Sequence, residues 1–246
     1  MNLEKFKTFI FDLDGTIWNL EEIFPGAIEA IERLREEKKQ ILFVTNNTFF
    51  SRKELIEKIN ELGLKLRENE LISVSQVIDE YLKLKNASAF VIGESLKEDL
   101  AERIDTKGKP DFLVVGYDEK FNLEKLTEAY EILKGGAKFL ASSYGKIFIK
   151  GNKVLPGAGT IVKAIEHMSG KKAVILGKPS DYMLSFLNMF VCSPMKETVL
   201  IGDELESDIL LGKKAGFYTI LVRTGIDKEA GKKIKPDLII DSVSMI

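Results

Sequence analysis

Apolar positions along this chain follow two rhythms that take turns. Lys7 to Leu13 is a short run of Phe and Ile, too short for a helix, and predicts a strand. From Pro25 to Glu37 the apolar residues Ala27, Ile28, Ile31 and Leu34 follow the three-and-four spacing of one helix face, with Pro25 near its start. Ile41 to Thr45 predicts a second strand. Ser51 with Glu54 and Ser73 with Gln76 form two capping boxes, which predict helices running to about Gly63 and about Leu84. Strands and helices in this order imply a parallel sheet covered by helices on both faces.

The same rhythm continues. Ala89 to Ile92, Asp111 to Gly116 and Lys138 to Ala141 predict strands. Ser95 to Arg103 and Leu123 to Leu133 predict helices, the second capped by Asn122. Ile147 to Ile149 and Lys153 to Leu155 flank Gly151-Asn152, a pair suited to a tight hairpin turn. Gly157 to Met168 predicts a helix. Four further strands are expected at Ala173 to Leu176, Thr198 to Ile201, Tyr218 to Val222 and Leu238 to Ile240. The predicted class is α/β with a doubly wound parallel sheet.

Composition narrows the chemistry. The 246 residues are 45% apolar and 30% charged, ordinary for a globular protein with a packed core. Lys and Arg total 36 against 38 Asp and Glu, for a net charge of −2, which gives no basic face for nucleic acid. No apolar stretch is long enough for a membrane helix, and the N-terminus reads as a strand, not a leader, so a cytoplasmic location is expected. One His (His167) and one Cys (Cys192) exclude an internal disulfide and a Cys/His zinc cluster. Catalysis must therefore rest on carboxylates, Lys, hydroxyls or a metal held by oxygen. His167 reads as a helix-end residue and Cys192 as a small core residue.

In open α/β sheets, ligands bind at the carboxyl ends of the strands. Four predicted strands end in polar residues: Asp12-Leu13-Asp14-Gly15-Thr16, Thr45-Asn46-Asn47, Gly177-Lys178-Pro179 and Gly202-Asp203, with Asp208 farther on. Asp12 and Asp203 on adjacent strand ends would repel unless a cation lay between them. Carboxylates suit Mg²⁺, which also takes phosphate oxygens, and Lys178 adds a point charge for phosphate. Asp12 is the candidate nucleophile. Asp14, two residues on, can protonate a leaving alkoxide and then deprotonate water.

These motifs, in this order, resemble those of the haloacid dehalogenase-like phosphatases, and the likeness spans about Thr8 to about Asp241. More than half of the chain lies between Thr45 and Lys178, whereas Asp14 to Thr45 holds room for one helix and one strand. The large insertion thus follows the second motif, as in the NagD-type and p-nitrophenylphosphatase-like branch with its α/β cap. Val44-Thr45-Asn46-Asn47 and Pro156-Gly157-Ala158-Gly159 are similar to that branch too. The resemblance implies a Rossmann-like core over residues 1–84 and 173–246 with a cap over 85–172. It implies a Mg²⁺ cofactor held by Asp12, Asp203 and the Asp14 backbone carbonyl. It further implies a phosphate held by Thr45, Asn46 and Lys178, with Asp208 orienting Lys178 or a metal-bound water. The implied partner is a small-molecule phosphate ester, and caps of this branch can pair into a homodimer. Glu204, Phe49-Phe50 and the segment Ala141 to Gly145, including Tyr144, depart from the branch; the last two fall near the expected leaving group. The alternatives are a phosphotransferase or mutase, and a receiver-like protein that stores phosphate on Asp. A receiver needs only about half this length, and Asp14 favours turnover.

Overall fold

The computed structural model describes residues 3–246. The chain opens with β1 (Thr8–Phe11), α1 (Ala27–Glu36), β2 (Gln40–Thr45), α2 (Arg52–Glu61), β3 (Leu71–Ser73) and α3 (Val74–Leu84). It continues with β4 (Ala89–Ile92), α4 (Glu94–Asp99), β5 (Phe112–Val115), α5 (Leu123–Lys134), β6 (Lys138–Ala141), β7 (Ile147–Lys150), β8 (Lys153–Pro156), α6 (Ala158–Ser169) and β9 (Val174–Ile175). It closes with α7 (Asp181–Asn188), β10 (Thr198–Gly202), α8 (Leu210–Ala215), β11 (Tyr218–Val222) and β12 (Leu238–Ile240).

Both predicted capping boxes form. The Ser51 and Ser73 side chains accept from the amides of Glu54 and Gln76, whose side chains reach back to the cap residues. Asn122 caps α5 in the same way, without the return bond. Helix α1 starts at Ala27, behind a left-handed Gly26, so Pro25 lies just outside it.

The first sheet has six strands in the order β12-β11-β10-β1-β2-β3, all parallel. The chain starts in the middle and winds outward through β2 and β3. After a long excursion it resumes on the other side of β1 with β10. The order of winding therefore reverses at β1, which makes its carboxyl end the crevice of the sheet. Strand alternation sorts the core. Phe9 and Phe11 face one layer, with Phe43, Ile201 and α1, while Ile10 faces the other, with Leu42, Val44, Leu200 and α3. Burying each such side chain contributes about 1.5–3 kcal/mol.

The excursion builds a second parallel sheet, β4-β5-β6-β9, with α5 and α6 on one face, and the antiparallel hairpin β7-β8. The expected strand over Ala173 to Leu176 forms as β9 and pairs with β6, so the second sheet extends past residue 172, the expected end of the insertion. The ladder explains this shift. The amides of Leu176 and Gly177 continue it by donating to the carbonyls of Ala141 and Ser142, and only at Lys178 does the chain grip the first sheet again. The first two positions of the expected core lie outside the described residues.

The hairpin turns at Gly151, whose φ of 55° suits glycine. Its tip rests on the first layer: the Gly151 amide donates to the Asn19 carbonyl at 2.9 Å, and a Cβ there would lie 2.3 Å from Glu21 Oε2. No helix among the described residues is long and apolar enough to cross a membrane.

Candidate active site

Register brings the acidic residues together. Phe11 pairs with Ile201 on one side and Phe43 on the other, so Asp12, Asp203 and Thr45 leave neighbouring strands near the same level. Gly15, at φ 81°, turns the chain back, and its amide donates to the Trp18 carbonyl at 2.8 Å. After Glu204 the backbone makes one π turn, Leu205–Ile209, before α8, and this turn carries Asp208. Such turns often mark functional positions.

Lys178 sits at the centre. Its buried ammonium donates to Asp12 Oδ1 at 2.5 Å, Asp208 Oδ1 at 2.7 Å and the Val44 carbonyl at 3.1 Å, which uses all three protons. Burial alone would lower its pKa, but Asp12 and Asp208 outweigh it and hold the amine charged, above its ordinary value. The pKa of Asp12 is raised by burial and by the Asp208 and Asp14 charges, against the pull of Lys178. Asp203 is raised by burial and by Asp12 and Asp208, although the Ile226 amide donates to its Oδ2 at 2.7 Å. Asp14 is raised by burial too, against Asn47 and Trp18; Trp18 Nε1 donates to its Oδ1 at 2.7 Å and Asn47 Nδ2 to its Oδ2 at 2.8 Å.

Carboxylate oxygens of Asp12, Asp203 and Asp208 lie within 4.8 Å of one another, and one lysine cannot balance three such groups. Asp208 has both oxygens engaged, one by Lys178 and the other by the Glu204 amide at 3.1 Å. Asp12 Oδ2 is different: it is buried and has no hydrogen-bond partner. An orphaned carboxylate oxygen beside a second carboxylate is a donor set that fits a divalent cation. Asp203 also permits no bulk around it, since a Cβ on Gly15 would lie 2.4 Å and one on Gly225 1.8 Å from its Oδ2. Burial raises the Glu204 carboxyl to about 7, with the Asp208 charge adding to the effect.

The structure brings Asp12, Asp14, Thr45, Asn46, Lys178, Asp203 and Asp208 to one cavity of about 110 Å³ between the two layers. It gives Asn46 a specific partner: its Oδ1 accepts from the Lys178 amide at 2.7 Å and its Nδ2 donates to the Lys178 carbonyl at 3.1 Å. Thr45 Oγ1 accepts from the Asn47 amide at 2.9 Å. Three contributors went unassigned in the sequence. Asn47 stood in a recognised motif without a role, Trp18 had only its spacing of four from Asp14, and Gly225-Ile226 carried no signal.

Phe49 lines the cavity, whereas Phe50 packs against Trp18. Tyr144 points elsewhere. Its phenol donates to Glu166 Oε1 at 2.5 Å, and burial and that carboxylate push its pKa up to about 12. Buried Glu166 also takes bonds from Lys163, Lys172 and the Ala173 amide, so the end of α6 anchors the segment before the hairpin. His167 is exposed in the last turn of α6. Cys192, expected in the core, is exposed instead, on a loop that Gln40 ties down through the Phe190 carbonyl and the Cys192 amide.

An acidic cluster thus surrounds one lysine at the reversal point of a Rossmann-like sheet, beneath a second α/β layer. Comparison with known proteins gives the class, a phosphoric monoester hydrolase. Haloacid dehalogenase-like hydrolase models match residues 9–107 and 175–246. Mouse chronophin is 34% identical over 88% of this chain and 80% of its own length. Phosphoglycolate phosphatase 2 of Arabidopsis thaliana is 31% identical over 97% of this chain and 91% of its own. Among solved structures, the p-nitrophenyl phosphatase from Archaeoglobus fulgidus has a TM-score of 0.86 at 29% identity, covering 97% of both chains. NagD from Escherichia coli K-12 has a TM-score of 0.85 at 26% identity, covering 98% of both. The chain belongs to the haloacid dehalogenase-like hydrolases, within their NagD and p-nitrophenylphosphatase type.

Proposed function

We propose that this chain hydrolyses small phosphate monoesters through a phosphoaspartyl intermediate on Asp12, with Mg²⁺ as cofactor. The observation that carries this reading is the buried, unpartnered Oδ2 of Asp12, whose other oxygen Lys178 holds in place. A carboxylate oxygen of Asp12 attacks phosphorus and the bond to the leaving oxygen breaks. Asp14 gives that oxygen its proton, a role suited to a carboxyl whose pKa burial has raised. Asp14 then takes a proton from water, the water oxygen attacks phosphorus, and the Asp12–phosphorus bond breaks to release inorganic phosphate. Thr45 and the amides that follow it, with Lys178, hold the phosphoryl oxygens. Asn46 fixes the Lys178 backbone, and Asp208 fixes its ammonium.

Asp12, Asp203 and the Asp14 carbonyl would hold the cation. When bound, Mg²⁺ supplies positive charge to the phosphoryl oxygens and to the crowded carboxylates. The second layer, cap to the first, keeps bulk water from the acyl-phosphate. Relatives named for phosphoglycolate, 5′-nucleotide and dihydroxyacetone phosphate hydrolysis support a small soluble ester as substrate.

Chelation with EDTA is expected to stop release of nitrophenol from p-nitrophenyl phosphate, and added Mg²⁺ to restore it. Full turnover by metal-free protein would refute the reading. Gly225→Ala tests the placement of Asp203 independently. The added Cβ must push that carboxylate aside, and a displacement of about 1 Å at an active site costs on the order of 10²-fold. The expected result is such a fall in kcat/KM with an unchanged circular dichroism spectrum.

A further inference from the structure

A second cavity, of about 770 Å³, adjoins the catalytic one of about 110 Å³. Asn46, Ser143, Lys178 and Glu204 line both, so the two are continuous at the carboxylates. The larger one lies between the two layers. The cap lines it with Ile147 at the start of β7 and Ile175 at the end of β9. The core lines it with Pro179, with Leu210 at the start of α8, and with Ile226 and Ile234 from the loop after β11. Ile147 is 41% exposed and the other five are half-buried, so these apolar surfaces do not close into a core. Ile234 packs on the buried cluster of Leu205, Ile209 and Leu221, which fixes the floor.

The polar side chains around this space are largely committed elsewhere. Lys214 donates to the Pro179 carbonyl at 2.9 Å and to Asp181 Oδ1 at 3.0 Å. Asp227 Oδ2 accepts from the Leu205 amide at 2.7 Å, and the Ser180 hydroxyl donates to the Leu176 carbonyl at 2.7 Å. Lys146 and Glu206 stand exposed, where solvent reaches their opposite charges. What remains is an apolar trough with its charged end at the catalytic carboxylates. Small-molecule sites of this size are mostly apolar, with a few polar groups that set orientation.

From this continuity we infer that the leaving group of the substrate is an extended aliphatic alcohol whose chain lies in the larger cavity, against Ile147, Ile175 and Ile234. The inference deepens the phosphatase reading and rests on it for the position of the phosphoryl group. A methylene fully withdrawn from water strengthens binding by roughly fourfold, and one half withdrawn, as in a cavity open on one side, by roughly twofold.

Alkylphosphonates test this without turnover. The binding of ethyl-, butyl- and octylphosphonate to the Mg²⁺-supplied protein is measured by calorimetry. A single octylphosphonate is expected to bind each chain, at least about 10-fold tighter than butylphosphonate and with a more negative heat-capacity change. Ile234→Asn and, separately, Ile175→Asn should cut that ratio to about threefold or less, with ethylphosphonate binding and turnover of p-nitrophenyl phosphate unchanged. Equal affinities for the butyl and octyl compounds, several octyl compounds bound per chain, or a ratio that both variants leave intact would overturn the inference. Turnover of p-nitrophenyl phosphate without the chain-length dependence removes this inference alone. The chain-length dependence without turnover of any ester removes the phosphatase reading alone.

Discussion

Asp12→Asn is expected to lower hydrolysis of p-nitrophenyl phosphate by about 10⁴-fold or more, while its melting temperature stays level or rises. The two outcomes have one origin. An amide cannot form the acyl-phosphate, so the covalent route closes, and losses of this order follow removal of a nucleophile. Its carbonyl oxygen can still accept from Lys178, so the contact that places both groups survives. The substitution also removes one charge from a cluster in which burial and neighbouring carboxylates already raise the pKa of Asp12 and Asp203. Mass spectrometry of acid-quenched enzyme should show a phosphate adduct on the wild type and none on the variant. Retained turnover would take the nucleophile's role away from Asp12.

Lys178→Met should damage both rate and fold. Positioned charges at phosphoryl oxygens are each worth roughly 10²–10³-fold, and kcat should fall by at least that much. Removing the ammonium also strands Asp12 and Asp208, whose side chains are 6% and 2% exposed. Breaking a buried ion pair from one side costs about 3–5 kcal/mol. The deficit has a definite sign with pH. Without Lys178 the Asp12 carboxyl, already raised, lies farther above its unfolded value, so the folded variant binds more protons than the unfolded chain. Its stability is then greatest at low pH and is lost as pH rises toward that raised value. Urea midpoints of the variant, measured in metal-free buffer, should therefore lie closer to wild type at pH 5 than at pH 8. A gap that widened on acidification would contradict the assigned charge balance.

The parts of this site that depend on strand ends were readable from the sequence. Asp12, Thr45 and Asp203 each follow a short apolar run, and a parallel sheet brings such runs into register whatever lies between them. The capping boxes at Ser51 and Ser73 were equally local and formed as expected. What could not be read depends on packing across layers. Gly225 matters because Asp203 leaves no room for a side chain, a constraint visible only once β10 and the loop after β11 are adjacent. Tyr144 has the composition of a substrate contact but turns to Glu166, because a buried carboxylate near the end of α6 offers the stronger partner. Strand β9 was recognised as a strand, but two residues carry no mark of which sheet they will join. Cys192 was placed inside on residue type alone, and type does not know that Gln40 holds its loop at the surface.

Asn46 ties the two ends of the excursion together, because its amide closes on the Lys178 backbone with both of its polar atoms. The loop so clasped is long, and the entropy of closing a loop grows only slowly with added length. Segments between these residues are therefore free to be lengthened, trimmed or exchanged at little thermodynamic penalty while the lysine keeps its place. Such a clasp lets evolution, or an engineer, swap the recognition surface wholesale without retuning the chemistry beneath it.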